Sequence, residues 1–461
     1  MMKLSLSMIV KNEMECLERC LKAAAPFVDA KVIKISQGGD MKISQAMIVK
    51  NEEKNIEKAL SWGKGIVAEQ IVVDTGSTDR TVEIAKKMGA KVVFFPWQDD
   101  FALAKNFAIS QCQYPWIALL DADEYFEEQD AQKLPEILKK VDKESRVGGI
   151  LTAWLHLNKK GTVGEGGSII RLFRNRKDIR YRRAIHEQLE YENGDPFFVF
   201  DCTDNLSIFH TGYIDLKNAE KMRSDRNLRL IEKELSKNPE DFEMMVYLGN
   251  EYLLRNQFRE AKQQYEKFLS YIPENYSLYH SLIASGMVNH LHVLEKLETE
   301  ERKDYFTEAL QVVREATKLL PEDGDFAFTL GKYLYGKEKY QEAIPYLQEA
   351  LQKIERYGAA NQSQSLLGGL VYCYKILAFA CLKEKDLKGA VRYSMVVLQG
   401  NPNEWESLRT LLYALWEGET KPEEIVGLLS RFYGRDYSLL QAVAQEIGYE
   451  SLLQYLAQYN E

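Results

Sequence analysis

Cysteine is scarce in this chain, and that scarcity sets the first limits. Six cysteines in 461 residues (Cys16, Cys20, Cys112, Cys202, Cys373, Cys381) include no Cys-x-x-Cys pair. Neither a zinc site nor a disulfide framework is indicated, and a reducing cytoplasm is the default compartment. Long apolar runs are also missing: none approaches the ~18 residues of a membrane helix, which predicts no membrane span. The opening Met1-Met2-Lys3-Leu4-Ser5 reaches Lys11, Asn12 and Glu13 too soon for a signal-peptide core. An excess of positive charge is lacking as well. At a net charge of −9 the chain is not built to bind nucleic acid by its charge. The stretch from Ile43 to Glu52 contains no glycine-rich phosphate loop, which argues against a nucleotidyltransferase.

What is present begins with an ordinary globular composition, 45% hydrophobic and 28% charged. A chain of 461 residues is too long for one core, so two or more domains are expected. Ser7-Met8-Ile9-Val10-Lys11-Asn12-Glu13 returns 39 residues later as Ala46-Met47-Ile48-Val49-Lys50-Asn51-Glu52. Only the second copy runs on into a polar loop, Asp74-Thr75-Gly76-Ser77-Thr78-Asp79. Residues 1–40 therefore read as a partial duplicate of the first strand–helix–strand unit, not as a site.

From Met41 the pattern alternates. Strands are expected near 43–49, 70–74, 91–95 and 116–120, with helices near 52–61, 78–88 and 101–111, the signature of a parallel sheet covered by helices. The fourth strand, Trp116-Ile117-Ala118-Leu119-Leu120, stops abruptly at Asp121-Ala122-Asp123-Glu124. Ending a strand does not require three mutually repelling carboxylates. Ligands of open α/β sheets sit beyond the carboxyl ends of the strands, where an Asp-x-Asp suits a divalent cation shared with a phosphate. A charged helix start is the competing reading. Asp74 could accept hydrogen bonds from a ribose or a base, or the loop after it could simply cap the next helix. Asp99 or Asp100 is a candidate N-cap, and Lys105 could reach a diphosphate.

After a helix near 130–142 the texture changes. Gly148 to Trp154 reads as a strand, and Gly161 to Gly167 as a flexible loop. Ser168–Arg174 and Ile179–Arg183 read as a hairpin around Asn175 to Asp178, with seven basic residues between Arg171 and Arg183. That cluster could serve a phosphorylated ligand or form a solvated face.

Together these blocks resemble the inverting family 2 glycosyltransferases of GT-A fold over residues 42 to about 215. Val49-Lys50-Asn51-Glu52, the Asp74–Asp79 loop and Asp121-Ala122-Asp123 stand in family order. Trp97, Asp99-Asp100-Phe101, Lys105-Asn106, Ile185-His186-Glu187 and His210-Thr211-Gly212-Tyr213 narrow the resemblance. They point to the branch of sublancin-type peptide S-glycosyltransferases and lipooligosaccharide β-glucosyltransferases. The resemblance implies that Val49, Lys50, Asn51, Glu52, Asp74 and Thr75 line a nucleotide pocket together with Lys105 and Asp121. It implies that Asp121 and Asp123 hold Mg²⁺ or Mn²⁺ against a UDP diphosphate, with His210 closing the shell. The chain departs from many members in two ways: Thr75 stands where a second acid is common, and no Glu-Asp or Asp-Asp pair occurs between 150 and 210. Glu187 is the candidate base and His186 the alternative.

From about Lys217 the chain turns helical and repetitive. Leu248-Gly249, Tyr252, Ala261, Tyr265 and Pro273 fit the 34-residue tetratricopeptide pattern, as do Leu330-Gly331, Ala343 and Ala350, then Leu377-Ala378, Ala390 and Pro402. His290 and His292 read as solvated, and the last forty residues as capping helices. The expected organisation is a partial duplicate (1–40), an α/β GT-A domain with a Rossmann-like mixed sheet (41–216) and an all-α tetratricopeptide solenoid (217–461). The expected partners are a nucleotide-sugar, UDP-linked as the resemblance implies, and a peptide or saccharide acceptor; the repeats could also hold a protein partner. The rivals are an enzyme of surface polysaccharide or lipooligosaccharide, and a non-catalytic repeat scaffold.

Overall fold

The structure, a computed structural model, describes residues 42–158, 161–211, 225–358, 361–434 and 436–458. The duplicate assigned to residues 1–40, Gly212-Tyr213 and the expected boundary at 216/217 lie outside the described residues. Two compact units divide between Glu220 and Lys221.

The first unit opens with β1 (Ile43–Val49), α1 (Ile56–Ser61), β2 (Glu69–Asp74), α2 (Thr81–Lys87), β3 (Lys91–Phe94), α3 (Phe101–Ser110) and β4 (Trp116–Leu119). The pairs β1–β2, β2–β3 and β1–β4 are all parallel, giving the order β3-β2-β1-β4. Trp116, Ile117, Ala118 and Leu119 are fully buried, as an apolar run covered on both faces requires. The short α1, α2 and α3 return the chain between these strands, and Asp100 caps α3 by accepting from the Leu103 N–H at 2.8 Å.

β5 (Glu124–Phe126), α4 (Glu128–Val141), β6 (Gly149–Leu157), β7 (Val163–Arg174), β8 (Ile179–Arg182), β9 (Gln188–Tyr191), β10 (Val199–Asp201) and β11 (Ser207–His210) follow. The sheet continues past β4 as β7-β6-β11-β5, with β10 also along β6. β4–β7, β6–β7 and β5–β11 are antiparallel, so the sheet is mixed.

Two expectations about this half are corrected. Residues 161–167 are not a loop: β7 starts at Val163, and Gly166 and Gly167 pair with Leu155 and Trp154 of β6. Nor do residues 168–183 form a hairpin. β7 has β4 on one edge and β6 on the other, which leaves no edge for Ile179–Arg182. That segment instead pairs with β9 in a separate two-stranded sheet. The basic cluster is dispersed in consequence: Arg171 is buried, Arg174 pairs with Asp142, and Arg176 with Asp178.

The second unit is entirely helical among the described residues. α5 (Asp225–Lys237) precedes α6 (Phe242–Leu254) and α7 (Phe258–Phe268), then α8 (His280–Glu301) and α9 (Phe306–Leu319). α10 (Asp325–Gly336), α11 (Tyr340–Tyr357), the short α12 (Gln364–Gly368), α13 (Leu370–Lys383) and α14 (Leu387–Gly400) come next. α15 (Trp405–Glu417), α16 (Pro422–Tyr433), α17 (Ser438–Ile447) and α18 (Glu450–Ala457) end it. Small residues let paired helices close up. A Cβ on Gly249 would lie 2.6 Å from the Tyr265 ring, and one on Gly331 would lie 2.7 Å from Leu347. One apolar cluster runs from Phe242 to Ala414 and a second from Met395 to Leu456, the stacked core of a helical repeat. His290 is not solvated. It is 3% exposed on α8, which has α6, α7, α9 and α10 around it, while His292 is half-buried.

Candidate active site

The carboxyl ends of β1, β2 and β4 lie side by side, since Val49 pairs with Asp74 and Ala46 with Leu119. Each strand leads into one of the polar motifs, and the first two motifs are tied together. The Asn51 N–H donates to Ser77 Oγ at 2.9 Å, and Asn51 Oδ1 accepts from the Thr78 N–H at 2.7 Å. The Glu52 N–H donates to Thr81 Oγ1 at 2.7 Å, and the Thr75 hydroxyl donates to the Val49 carbonyl at 3.0 Å. Asn51 takes φ +58° and Gly76 φ +113°, conformations that Asn and Gly tolerate. Asp74 is buried and accepts from the Ser77 N–H at 3.1 Å and the Gly76 N–H at 3.3 Å, so it shapes its own loop. Lys50 and Asn51 are exposed at this edge, with Glu52 half-buried and Val49 beneath them.

Below the Asp-x-Asp lies a buried charge network. The Lys105 ammonium is 3.2 Å from Asp121 Oδ1 and 2.7 Å from Glu187 Oε1, with its side chain only 2% exposed. The direct reach to a diphosphate expected of Lys105 is therefore not what the geometry favours: its charge is engaged by two carboxylates and shut off from solvent. Burial works against that charge, but Asp121 and then Glu187 outweigh it and raise the Lys105 pKa. Arg171 on β7 reaches both Asp121 and Glu124, the latter from Nε at 2.7 Å. Burial resists ionisation of Asp121, yet Arg171 and Lys105 hold it well below the usual carboxylate range. Glu124 is completely buried and accepts from Trp154 Nε1 at 3.0 Å and from the Asp121 N–H at 2.9 Å. The Asp121 side chain is still 38% exposed, so it keeps an open side toward solvent.

Glu187 arrives on the loop between β8 and β9. Arg183 at φ +72° and His186 at φ +51° bend that loop, and the Ala184 carbonyl accepts from the Phe101 N–H at 2.8 Å. Asn106 clamps the start of the loop through Tyr181, donating to its carbonyl and accepting from its N–H, both at 2.9 Å. The Tyr181 ring lies 5.3 Å below the Lys105 ammonium. Trp97 stacks edge-on against Phe101 and donates to Asp99 at 2.8 Å.

Asp123 and His210 form a second pair, Nε2 to Oδ2 at 3.3 Å, with side chains 27% and 14% exposed. The Thr211 N–H and hydroxyl donate to the Asp123 carbonyl at 3.0 and 3.1 Å, fixing the end of β11 against the motif. Burial lowers the His210 pKa, but the hydrogen bond and charge of Asp123 turn the net shift upward. No three His, Cys, Asp or Glu side chains are gathered as a ready cation cage among the described residues. One carboxylate and one imidazole do suit Mg²⁺ or Mn²⁺ when a diphosphate and water supply the remaining donors.

Residues 44–153 match the family model described as Glycosyl transferase family 2. That stretch is a family 2 glycosyltransferase domain. Its span ends within β6, short of Arg171 on β7, Glu187 on the β8–β9 loop and His210 on β11. A TPR repeat-containing protein of Synechococcus elongatus is 29% identical over 270 residues, covering 57% of this chain and 55% of the relative. The SPbeta prophage-derived glycosyltransferase SunS of Bacillus subtilis is 27% identical over 269 residues, covering 54% of this chain and 62% of the relative. The chain thus spans 55% and 62% of the lengths of these two relatives. Among solved structures, the chain resembles glucosyl-3-phosphoglycerate synthase from Mycobacterium tuberculosis, crystallised with Mn²⁺, UDP-glucose and phosphoglyceric acid. The TM-score is 0.21 at 22% identity, over 25% of this chain and 44% of that one, a likeness too slight to build on.

The first unit brings Asp121, Lys105 and Glu187 into one network, joins Asp123 to His210, and gathers Val49–Glu52 with Asp74-Thr75. The loop bend places His186 next to Glu187. The sequence pattern does not single out Trp154, His156 or Tyr181, and it leaves Arg171 in a basic cluster open to a phosphorylated ligand or to solvent. The available signal was the two-residue alternation of β6, which puts Trp154 and His156 on one face.

Proposed function

We propose that this chain is an inverting glycosyltransferase that moves a sugar from a UDP-sugar to an acceptor. The observation that carries the reading is Lys105: one buried ammonium joins Asp121 of the Asp-x-Asp to Glu187 of the acceptor-side loop. A carboxylate is thereby held beside the nucleotide edge of the sheet, oriented by a charge that solvent cannot screen. The family 2 match over residues 44–153 and the likeness to a glycosyltransferase of Bacillus subtilis support sugar transfer as the chemistry.

In this reading Val49–Glu52, Asp74 and Thr75 line the nucleoside pocket, and Asp121 faces the ribose and diphosphate through its open side. Asp123 and His210, with Asp121 from its open side, would hold Mg²⁺ or Mn²⁺, which when bound offsets the charge of the departing diphosphate. Glu187 takes the acceptor proton as the sugar carbon is attacked from the face opposite the leaving group. His186 is the alternative base. Lys105 and Arg171 set the positions of the carboxylates. The acceptor is read as a peptide, because stacked helix pairs present an extended concave surface suited to one.

The test is Glu187→Gln. Transfer should fall by about 10²–10⁴-fold, the usual weight of a general base, with UDP affinity kept. Transfer undiminished in Glu187→Gln but lost in His186→Ala would move the base to His186. The product's anomeric configuration, read by proton NMR, should be opposite to the donor's.

A further inference from the structure

β11 lies between β5 and β6, and the register sets His210 opposite Glu124 on one side and His156 on the other. The two imidazoles meet at their Nδ1 atoms, 3.0 Å apart. Nitrogens at that distance share one proton, so one ring donates and the other accepts. The Nε2 atom of His210 points the other way, to Asp123. An imidazole nitrogen binds a cation through its lone pair, so ligation by Nε2 requires the His210 proton on Nδ1. His156 Nδ1 must then be the acceptor, with the proton of its own ring on Nε2. Its ring is fixed for this task by Trp154, packed edge-on at 4.3 Å between centroids and itself anchored to buried Glu124.

We propose that His156 is a positioning residue for the cation site. It accepts the Nδ1 proton of His210 and so presents Nε2 as a lone pair beside Asp123. The inference rests on the reading of Asp123 and His210 as cation ligands. It assigns the work to a residue outside the Asp-x-Asp and outside the His-Thr-Gly-Tyr segment, on the strand next to β11.

The experiment uses the full chain with UDP. Mn²⁺ affinity is measured by electron paramagnetic resonance, and histidine tautomers by ¹⁵N NMR with Mg²⁺ as the diamagnetic probe. His156→Leu removes the acceptor and should weaken Mn²⁺ by about 10–100-fold, the usual size of losing such a partner. His156→Asn, whose amide oxygen can still accept, should recover most of that loss, which a merely structural role would not give. In the Mg²⁺ complex of the unaltered chain, His210 should carry its proton on Nδ1 and His156 on Nε2. A protonated Nε2 on His210 in that complex overturns the proposal without any variant. Wild-type Mn²⁺ affinity in His156→Leu, alongside a loss in His210→Ala, overturns it while leaving the cation site standing. Unchanged affinity in His210→Ala removes the cation reading and the proposal with it.

Discussion

At the scale of single residues, the site turns on which charges are engaged and which are open. Lys105 is almost wholly buried between two carboxylates, so removing its charge leaves both without their shared partner. Breaking a buried pair from one side costs about 3–5 kcal/mol; the open side of Asp121 puts Lys105→Met at the low end, about 3 kcal/mol. Urea unfolding should show that loss, and Lys105→Met/Glu187→Gln should recover part of it. A Lys105→Met chain as stable as the original would mean that the ammonium does not bind the two carboxylates together. Asp121 and Asp123 stand out in the sequence because carboxylates at a strand end have few structural uses, whereas Glu187 stands out only through the family resemblance. Arg171 and His156 were not. Their roles depend on which strands become neighbours, and a stretch such as Ile170-Arg171-Leu172 says nothing of its pairing.

At the scale of elements, the first four strands could be read because a buried parallel strand is a continuous apolar run bounded by loop residues. The second half of the sheet could not. Whether Ser168–Arg174 pairs forward with Ile179–Arg182 or backward with β6 is decided by long-range competition for sheet edges. The helical repeats were legible from their small residues, but the burial of His290 was not, since a 22-residue helix surrounded by others has no solvent face at that point. That burial has a consequence for pH. It is the main cause that pushes the His290 pKa down to about 4, so the folded chain keeps the ring neutral while the unfolded chain protonates it near pH 6.5. Between those values the unfolded state binds more protons, and stability falls as pH drops. His290→Leu lacks that loss. The stability of the variant relative to the original should improve by about 2 kcal/mol between pH 7 and pH 5, at about 1.4 kcal/mol per pKa unit. Parallel urea-unfolding curves at the two pH values would show that the ring is not held neutral.

At the scale of the whole molecule, each unit has apolar clusters of its own, three in the first and two in the second among the described residues. A chain ending at residue 220 should therefore fold and bind UDP with Mn²⁺ as the full chain does. Transfer to a peptide acceptor should fall at least tenfold, because covalent linkage of a binding module raises the local acceptor concentration. Full transfer by the shortened chain, with normal circular dichroism and UDP binding, would free the repeats for another partner and favour a saccharide acceptor.

Release of UDP from a panel of UDP-sugars, with and without Mn²⁺, tests the central claim most directly when the original chain is set beside Asp123→Ala. At least one UDP-sugar should be turned over only with the cation, and Asp123→Ala should lose that turnover by about 10²-fold or more, a loss of about 3 kcal/mol in transition-state stabilisation, with unchanged circular dichroism. Turnover in Asp123→Ala equal to the original at limiting and saturating Mn²⁺, or no turnover of any UDP-sugar by the original chain, would contradict the account.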